Sequence, residues 1–517
     1  MGIPTLMRLF VADLVRTARG VSGDAVLVHE GKVVELGQAD RLRSRDIPEE
    51  HFSGGALLPG LHDAHIHPVG YASAKGGLLL DGVPDISTLL SVLADADAHL
   101  DGGWALIGNR LDEERFSDRR LPTRHDLDTV IAERPVFLAR VCGHIAVVNT
   151  AALEAAGIGP DASNPVGGSF DRDTDGNPNG VLREAAIGLV ASVLKMPPVD
   201  TSALLETMRH LARLGLTSLG GIVDVSGGVW TSGNELEILA DIASDLPLRV
   251  CAFVIAPTSK DLETAARQID RTSSRLRFGG AKEFADGSLG GHTAALQAPY
   301  ADRPKDSGTL LMLNRSETLE RAHAALALDG SVAIHAIGDR ATSHVLDVFE
   351  SLIDQGADPS RLRMEHASML QGNDLRRMAE TGVGACIQPA FVPSDGPWLE
   401  QRLGTRRAAC TYRFATMARD GIHLAGGSDA PVESPSPFAG MAAARDRAGF
   451  WPEESLTANQ ALALFTDDAA RLLGEPEPLS PGSPADFIIV DRDPVTASPT
   501  ELRQARVLST WVEGRKV

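Results

Sequence analysis

Cysteine is scarce in this chain: of 517 residues only Cys142, Cys251, Cys386 and Cys410 carry a thiol, far apart and in no CxxC pair. Disulfide frameworks and thiolate zinc sites need closely arranged cysteines, so neither is expected. Basic residues are outnumbered, 49 Lys and Arg against 69 Asp and Glu, which leaves a formal charge of −20. Nucleic acids and anionic membranes attract basic surfaces, so neither is expected as a partner. Long apolar runs are missing as well. Arg8, Asp13, Arg16 and Arg19 interrupt the Met1–Gly20 stretch, which therefore lacks the apolar core of a signal peptide. No later run approaches the roughly 18 to 20 apolar residues that span a bilayer. Internal repeats and low-complexity tracts are also absent. These absences lead to the expectation of a cytoplasmic protein, with the 43% hydrophobic and 23% charged residues of a soluble globular chain. The length exceeds one ordinary domain and suits a large barrel with a smaller companion.

What is present alternates in two ways. At the start, Asp24–Gly37 reads as a β-hairpin turning at Glu30-Gly31. At the far end, Asp486–Asp491 and Val507–Gly514 read as strands, so a small β-domain built from both termini is expected. Between them, strands alternate with helices, the pattern of a parallel sheet with crossover helices. The candidate strands are Ala56–Leu61, Thr217–Ile222, Arg249–Val254, Leu276–Phe284, Ser331–His335, Arg363–His366, Gly384–Gln388 and Ile422–Gly426. Eight is the number that closes a TIM (β/α)8 barrel. Helical patterns such as Ser202–Arg213, Leu262–Ile269 and Glu317–Leu328 lie between them. About 150 residues separate the first two strands. That interval must hold an insertion, a lid or extra subdomain.

The histidines and acids fall at telling places. His65 and His67 are two residues apart, and in extended chain such a pair faces one way and can reach one ion. Ala333-Ile-His335 ends the fifth strand, Met364-Glu-His366 ends the sixth, and Gly426-Gly-Ser-Asp429 follows the eighth. A single buried histidine on a strand is more often a satisfied core residue. Three strand ends plus an HxH, all on the C-terminal face where barrel active sites sit, point to a metal centre. Nitrogen and carboxylate donors without thiolate favour zinc, with manganese, iron or nickel as alternatives. Lys282, at the fourth strand, does not fit by itself, because a protonated lysine repels a cation. From the residues alone it is a substrate or phosphate contact, or a salt-bridged strand end.

Taken in order, PGLHDAHIH (59–67), AKEFADGSLGG (281–291), AIHAIGDRA (333–341), MEHAS (364–368) and GGSDAP (426–431) resemble the amidohydrolase superfamily. The resemblance is to its YtcJ-like or amidohydrolase 3 branch, which includes N-substituted formamide deformylases. Gly143–Asn149, Asn179–Glu184 and Leu479–Val490 look like this branch too, so the likeness covers nearly the whole chain. It implies a composite β-sandwich from 1–56 plus 475–517, a catalytic barrel over 57–474, and an insertion or lid at 80–190. It also implies that His65, His67 and Asp429 hold one metal, that His335 and His366 hold a second, and that Lys282 bridges the two as a carbamate. Two residues depart from the pattern. His62 stands where relatives usually carry an aliphatic residue, and His292 occupies a place that often holds Arg.

The expected enzyme is therefore a hydrolase of non-peptide carbon–nitrogen bonds (EC 3.5 type), carrying two Zn2+ per chain. Its metal would activate water and polarise the acyl carbon, with Asp429 as general base and then acid. His144 and His292 are candidates for oxyanion stabilisation or substrate binding. Glu184 and Arg340 are further substrate-contact candidates, and Arg340 or Arg183 could hold a carboxylate. The expected substrate is a small or medium-sized neutral molecule with an amide-type bond, formamides being favoured by the resemblance. Isomerisation or decarboxylation on the same site is an alternative. A metal-free binding module is opposed by the complete ligand set. A homodimer stays open.

Overall fold

The computed structural model describes residues 7–44, 47–227, 231, 233–312 and 314–517, so the first six residues of the Met1–Gly20 stretch lie outside the described residues. Its central element is a sheet of eight strands in chain order: Leu61–Ile66, Leu216–Asp224, Arg249–Ile255, Leu276–Phe284, Ser331–Ala336, Leu362–His366, Gly384–Ile387 and Leu424–Gly426. Every adjacent pair is parallel. Parallel strands covered by helices on one face and a core on the other read as continuous apolar runs. Val250–Val254, buried throughout, is such a run. The crossover helices carry the complementary stripe. In Thr201–Arg213, capped by the Asp200 carboxylate, the buried residues Leu204, Thr207, Met208, Leu211 and Ala212 recur at helical spacing.

The seam between the first and eighth strands is held by local polar bonds. The Ser428 backbone N–H and hydroxyl donate to the Asp63 carboxylate at 3.0 and 2.5 Å. The Asp429 N–H donates to the His65 carbonyl at 2.7 Å, and the His67 N–H to that of Ala430 at 2.9 Å. The barrel is thus nearly closed, and its closure fastens two candidate ligand segments to each other.

The first strand differs from expectation. The sequence pattern places the opening strand at Ala56–Leu61, yet its residues up to Pro59 end a long strand, Glu49–Pro59, of another sheet. The barrel starts only at Leu61–Ile66, so His65 lies within the strand and His67 just beyond it. Ala56-Leu57-Leu58 and the histidine-bearing segment are both fully buried, and an apolar run alone cannot say to which sheet it belongs. Gly60 makes the change of sheet: a Cβ there would lie 2.3 Å from Thr217 Oγ1.

That other sheet joins the two ends of the chain. Its order is Arg515–Lys516, Val507–Val512, Phe487–Val490, Glu49–Pro59, Arg8–Thr17, Ala25–His29, Lys32–Gly37, with Gly20–Val21 paired to Arg8–Thr17. The expected hairpin is there, turning at Glu30 and Gly31 with φ of 49° and 72°, the left-handed pair that matches strand twist. Phe10, Phe487 and Trp511 pack beneath it, with ring centroids 4.8 to 5.5 Å apart.

The long interval after the first barrel strand carries a six-stranded sheet that runs from Leu78–Leu79 to Pro178–Glu184. Along Val136–Arg140 the side chains alternate between two apolar clusters: Val136 and Leu138 join one, Phe137 and Ala139 the other. A sheet buried on both faces is a folded unit and not a loose loop. Among the described residues no helix is long and apolar enough to cross a membrane.

Candidate metal centre and active site

The strand ends bring six of the candidate residues to one place. One donor atom each from His65, His366 and Asp429 lies within 4.8 Å of the others, all three residues being buried. Asp429 Oδ1 is 3.3 Å from His65 Nε2 and 3.2 Å from His67 Nε2. Lys282 Nζ lies 3.4 Å from His65 Nε2. The rings of His335 and His366 are 4.5 Å apart, and those of His65 and His366 5.0 Å.

Three of the imidazoles have one nitrogen engaged away from this centre. His65 Nδ1 bonds to the Glu365 carboxylate. His366 Nδ1 donates to Gln388 Oε1 at 2.7 Å, and His335 Nε2 to the Gly287 carbonyl at 3.1 Å. Each such bond leaves the other nitrogen as a lone-pair donor, the usual arrangement behind metal-binding histidines. Protonation is suppressed as well. Burial pushes His67 down to about 4 and His366 to about 3, and pushes His335 well below its ordinary value. Burial opposes the charge of Asp429, but His65 and His67 outweigh it and hold the acid well below the usual carboxylate range. Neutral imidazoles around an ionised carboxylate are the protonation states a divalent cation requires, so the residues fit such an ion.

Backbone conformation helps to aim the side chains. His366 and Asp429 have φ of 70° and 59°, a left-handed conformation uncommon outside glycine. In a regular strand Glu365 and His366 would face opposite ways. The left-handed turn at His366 lets both serve the centre, the histidine directly and Glu365 through His65. Glu365 is itself clamped: buried Arg363 donates to both of its oxygens and to the Ala64 carbonyl at 2.8 Å.

Two cavities open over this centre. One, of about 330 Å3, is lined by His65, His67, Lys282, His335, His366 and Asp429 together with Ile187, Phe284 and Leu311. The other, of about 420 Å3, shares His144, His335, His366 and Asp429 with it. His144 therefore stands where the two meet. Burial disfavours its charge, yet the Glu184 carboxylate, 2.9 Å from its Nδ1, holds the imidazolium up at about 9. Glu184 lines the first cavity and closely overlies Gly287, where a Cβ would lie 2.0 Å from its Oε1.

Other expected contacts lie elsewhere. His292 lines neither cavity. It bonds to Asp302 at 3.0 Å and packs edge-on against Tyr300, because its own φ of 56° belongs to a tight loop returning toward the barrel wall. Arg340 lines neither cavity either. It has already entered the helix Asp339–Asp354, and its N–H bonds to the Ala295 carbonyl. Arg183 is occupied by Asp171 and by the Gly291 carbonyl, 2.6 Å away, and so ties the insertion to the barrel loop. His62 is buried next to Arg249, Glu475 and Asp486, among residues at the strand starts and not the strand ends.

Glu365, Gln388 and Asp286 went unread in the sequence. Asp286 accepts N–H bonds from Ala295, Ile337 and Gly338 at 2.8 to 3.0 Å and so splices the loops after the fourth and fifth strands. Glu365 and Asp286 lie inside the motifs 364–368 and 281–291, which was the available signal.

A nearly closed parallel barrel with histidine, lysine and aspartate at its C-terminal strand ends defines the chain as a metallohydrolase-type barrel protein. The chain belongs to the amidohydrolase family (Amidohydro_3), whose model matches residues 53–517. It is 31% identical to a protein of Bacillus subtilis (strain 168) provisionally named the amidohydrolase YtcJ, over 96% of each chain. It is 29% identical to the N-substituted formamide deformylase of Arthrobacter pascens, over 96% of this chain and 95% of that one. Among solved structures, an uncharacterized metal-dependent hydrolase from Pyrococcus horikoshii OT3 superposes with a TM-score of 0.75 at 26% identity, covering 96% of this chain and 99% of its own.

Proposed function

We propose that this chain hydrolyses an amide-type C–N bond of a small molecule, with a metal pair held by His65, His67, Lys282, His335, His366 and Asp429. The observation that carries the reading is a set of three imidazoles anchored from behind, two of which, His65 and His366, gather with the ionised Asp429. The donors are nitrogen and oxygen only, which suits zinc. A bound divalent metal of this kind acidifies a water and polarises a carbonyl.

The chain's own residues supply the proton handling. Asp429, ionised at neutral pH, accepts a proton from the attacking water and delivers it to the leaving nitrogen, so that amide plus water gives acid plus amine. His144, kept cationic by Glu184, donates toward the oxygen that gains negative charge. Burial pushes the Lys282 ammonium down to about 8. This raises the share of neutral amine, which adds to carbon dioxide to give a carbamate and a proton and so turns a repelling cation into an anionic ligand. Cys142, His144, Glu184 and Ile187 of the insertion line the cavity and would limit the access of water. The sheet of the two termini acts as the small β-domain of the composite fold. Free cysteines at 142, 251, 386 and 410 suit a reducing cytoplasm.

The test is a panel of formamides, N-acyl amines, ureas and cyclic amides in 18O-labelled water, with metal-loaded and verified metal-free protein. One labelled oxygen should enter the acid product, and only with metal-loaded protein. Full activity in metal-free protein would end this reading.

A further inference from the structure

The second cavity differs in character from the first. Its walls carry Arg110, Arg115 and Arg140 together with Asp112, Glu114, Asp395 and Glu433. Pairing the charges settles most of them. Arg110 binds Asp81 at 2.8 Å, Arg115 binds Asp112 at 3.0 Å, and Arg140 binds Glu113 at 2.8 Å. Arg402 binds Glu114 and also Asp302. Asp395 and Glu433 remain. Neither has an ion-pair partner among the described residues. Among the described residues their hydrogen-bond donors are hydroxyls: Tyr412 to Asp395 at 2.5 Å, and Ser394 to Glu433.

A second feature of the same wall also calls for a ligand. Arg140 is 3% exposed, yet only its Nε is engaged, with Glu113. Neither terminal nitrogen has a hydrogen-bond partner among the described residues. A Cβ at neighbouring Gly290 would lie 3.1 Å from one of them, so the absent side chain there leaves that nitrogen accessible. Guanidinium N–H groups that face a cavity with no protein acceptor are free to bond a ligand oxygen.

We propose that this lobe receives a cationic amino end of the substrate, held by Asp395 and Glu433, with a neighbouring substrate oxygen accepted by the terminal N–H groups of Arg140. The proposal rests on the amidohydrolase reading for the position of the scissile bond, between the charged lobe and the apolar one walled by Ile187, Phe284 and Leu311. It replaces the neutral substrate expected from the sequence with an amide that is apolar on one side and carries an ammonium group on the other. Burial pushes Asp395 up to about 7 and raises Glu433 as well, so a bound cation would favour two carboxylates that burial disfavours.

The experiment compares amides of one apolar acid or amine whose other chain ends in an ammonium, a methyl or a carboxylate, over chain lengths of two to six carbons. At fixed metal loading, kcat/KM of the best ammonium member should exceed that of its methyl isostere by about 30-fold, with the carboxylate member lowest. Asp395→Asn and Glu433→Gln should each shrink that ratio by about 5- to 10-fold, mainly through KM. Equal rates for ammonium and methyl members, or a ratio untouched by both substitutions, would overturn the proposal. If no member is hydrolysed, the amidohydrolase reading fails separately, and the lobe is judged by binding. The ammonium-ended amide should then raise Tm more than its methyl isostere in the natural chain and not in the doubly substituted one. No such difference overturns the lobe assignment as well.

Discussion

Glu365 and His65 meet by a buried carboxylate–imidazole bond across 300 residues of sequence, and neither side chain reaches solvent. The bond fixes which ring nitrogen of His65 faces the centre. Glu365→Gln keeps the size but removes the charge that holds the imidazole. Metal affinity should fall about 10- to 100-fold, measured by competition with a chelator of known affinity. Unchanged affinity would show that the barrel backbone alone orients His65.

Arg363 sits behind this pair, over the face of Phe253 at 4.5 Å. Arg363→Met leaves Glu365 as a buried charge whose cationic partner is gone, which should lower unfolding stability by about 3–5 kcal/mol. Arg363→Lys cannot restore the two-pronged contact. Removing both partners as Arg363→Met with Glu365→Met should recover much of the loss. Urea unfolding midpoints of the three variants decide the matter.

Lys282 separates a bridging ligand from a bystander. Lys282→Ala should bring metal content down toward about one equivalent and activity down by at least about tenfold. Short carboxylic acids should partly restore activity, since they replace the anionic bridge. Lys282→Arg should not recover, because a guanidinium stays cationic. Metal analysis together with a carboxylate titration distinguishes these outcomes.

Asp429→Asn preserves shape and withdraws the base. The expected loss is roughly 10²-fold or more in kcat, with a much smaller change in KM. Steady-state kinetics at matched metal content measure it, and near-normal kcat would assign the proton transfer to another group.

Gly287 leaves room for Glu184. In Gly287→Ala the new Cβ would lie 2.0 Å from Glu184 Oε1 and 2.3 Å from Thr293 Oγ1, so Glu184 must move away from His144. A drop of about 10- to 100-fold in kcat/KM is expected, with a stability loss limited to about 1–3 kcal/mol. Kinetics and thermal melts on the same preparation test both parts.

Much of this protein is written locally. Strand–helix alternation marked the barrel, and polar residues at the ends of apolar strands marked His335, His366 and Asp429, because a barrel gathers its strand ends on one face. The hairpin at Glu30-Gly31 was legible because its turn chemistry lies in two adjacent residues. Tertiary structure decided what depends on distant chain or on broken periodicity. The run Ala56–Leu58 could have served either sheet, and pairing with Phe487–Val490 and Arg8–Thr17 assigned it. Glu365 was hidden because strand alternation points it away from His366, until a left-handed φ at His366 brings both to the centre. His292 and Arg340 carried plausible chemistry, but loop and helix geometry took them out of the cavity. The charge balance of the second lobe lies furthest from the sequence, since Arg110, Arg140 and Arg402 find their carboxylates 27 or more residues away, and only Arg115 pairs locally, with Asp112. Coulomb pairing acts over ångströms, not residue numbers, and among the described residues it leaves Asp395 and Glu433 without an ion-pair partner.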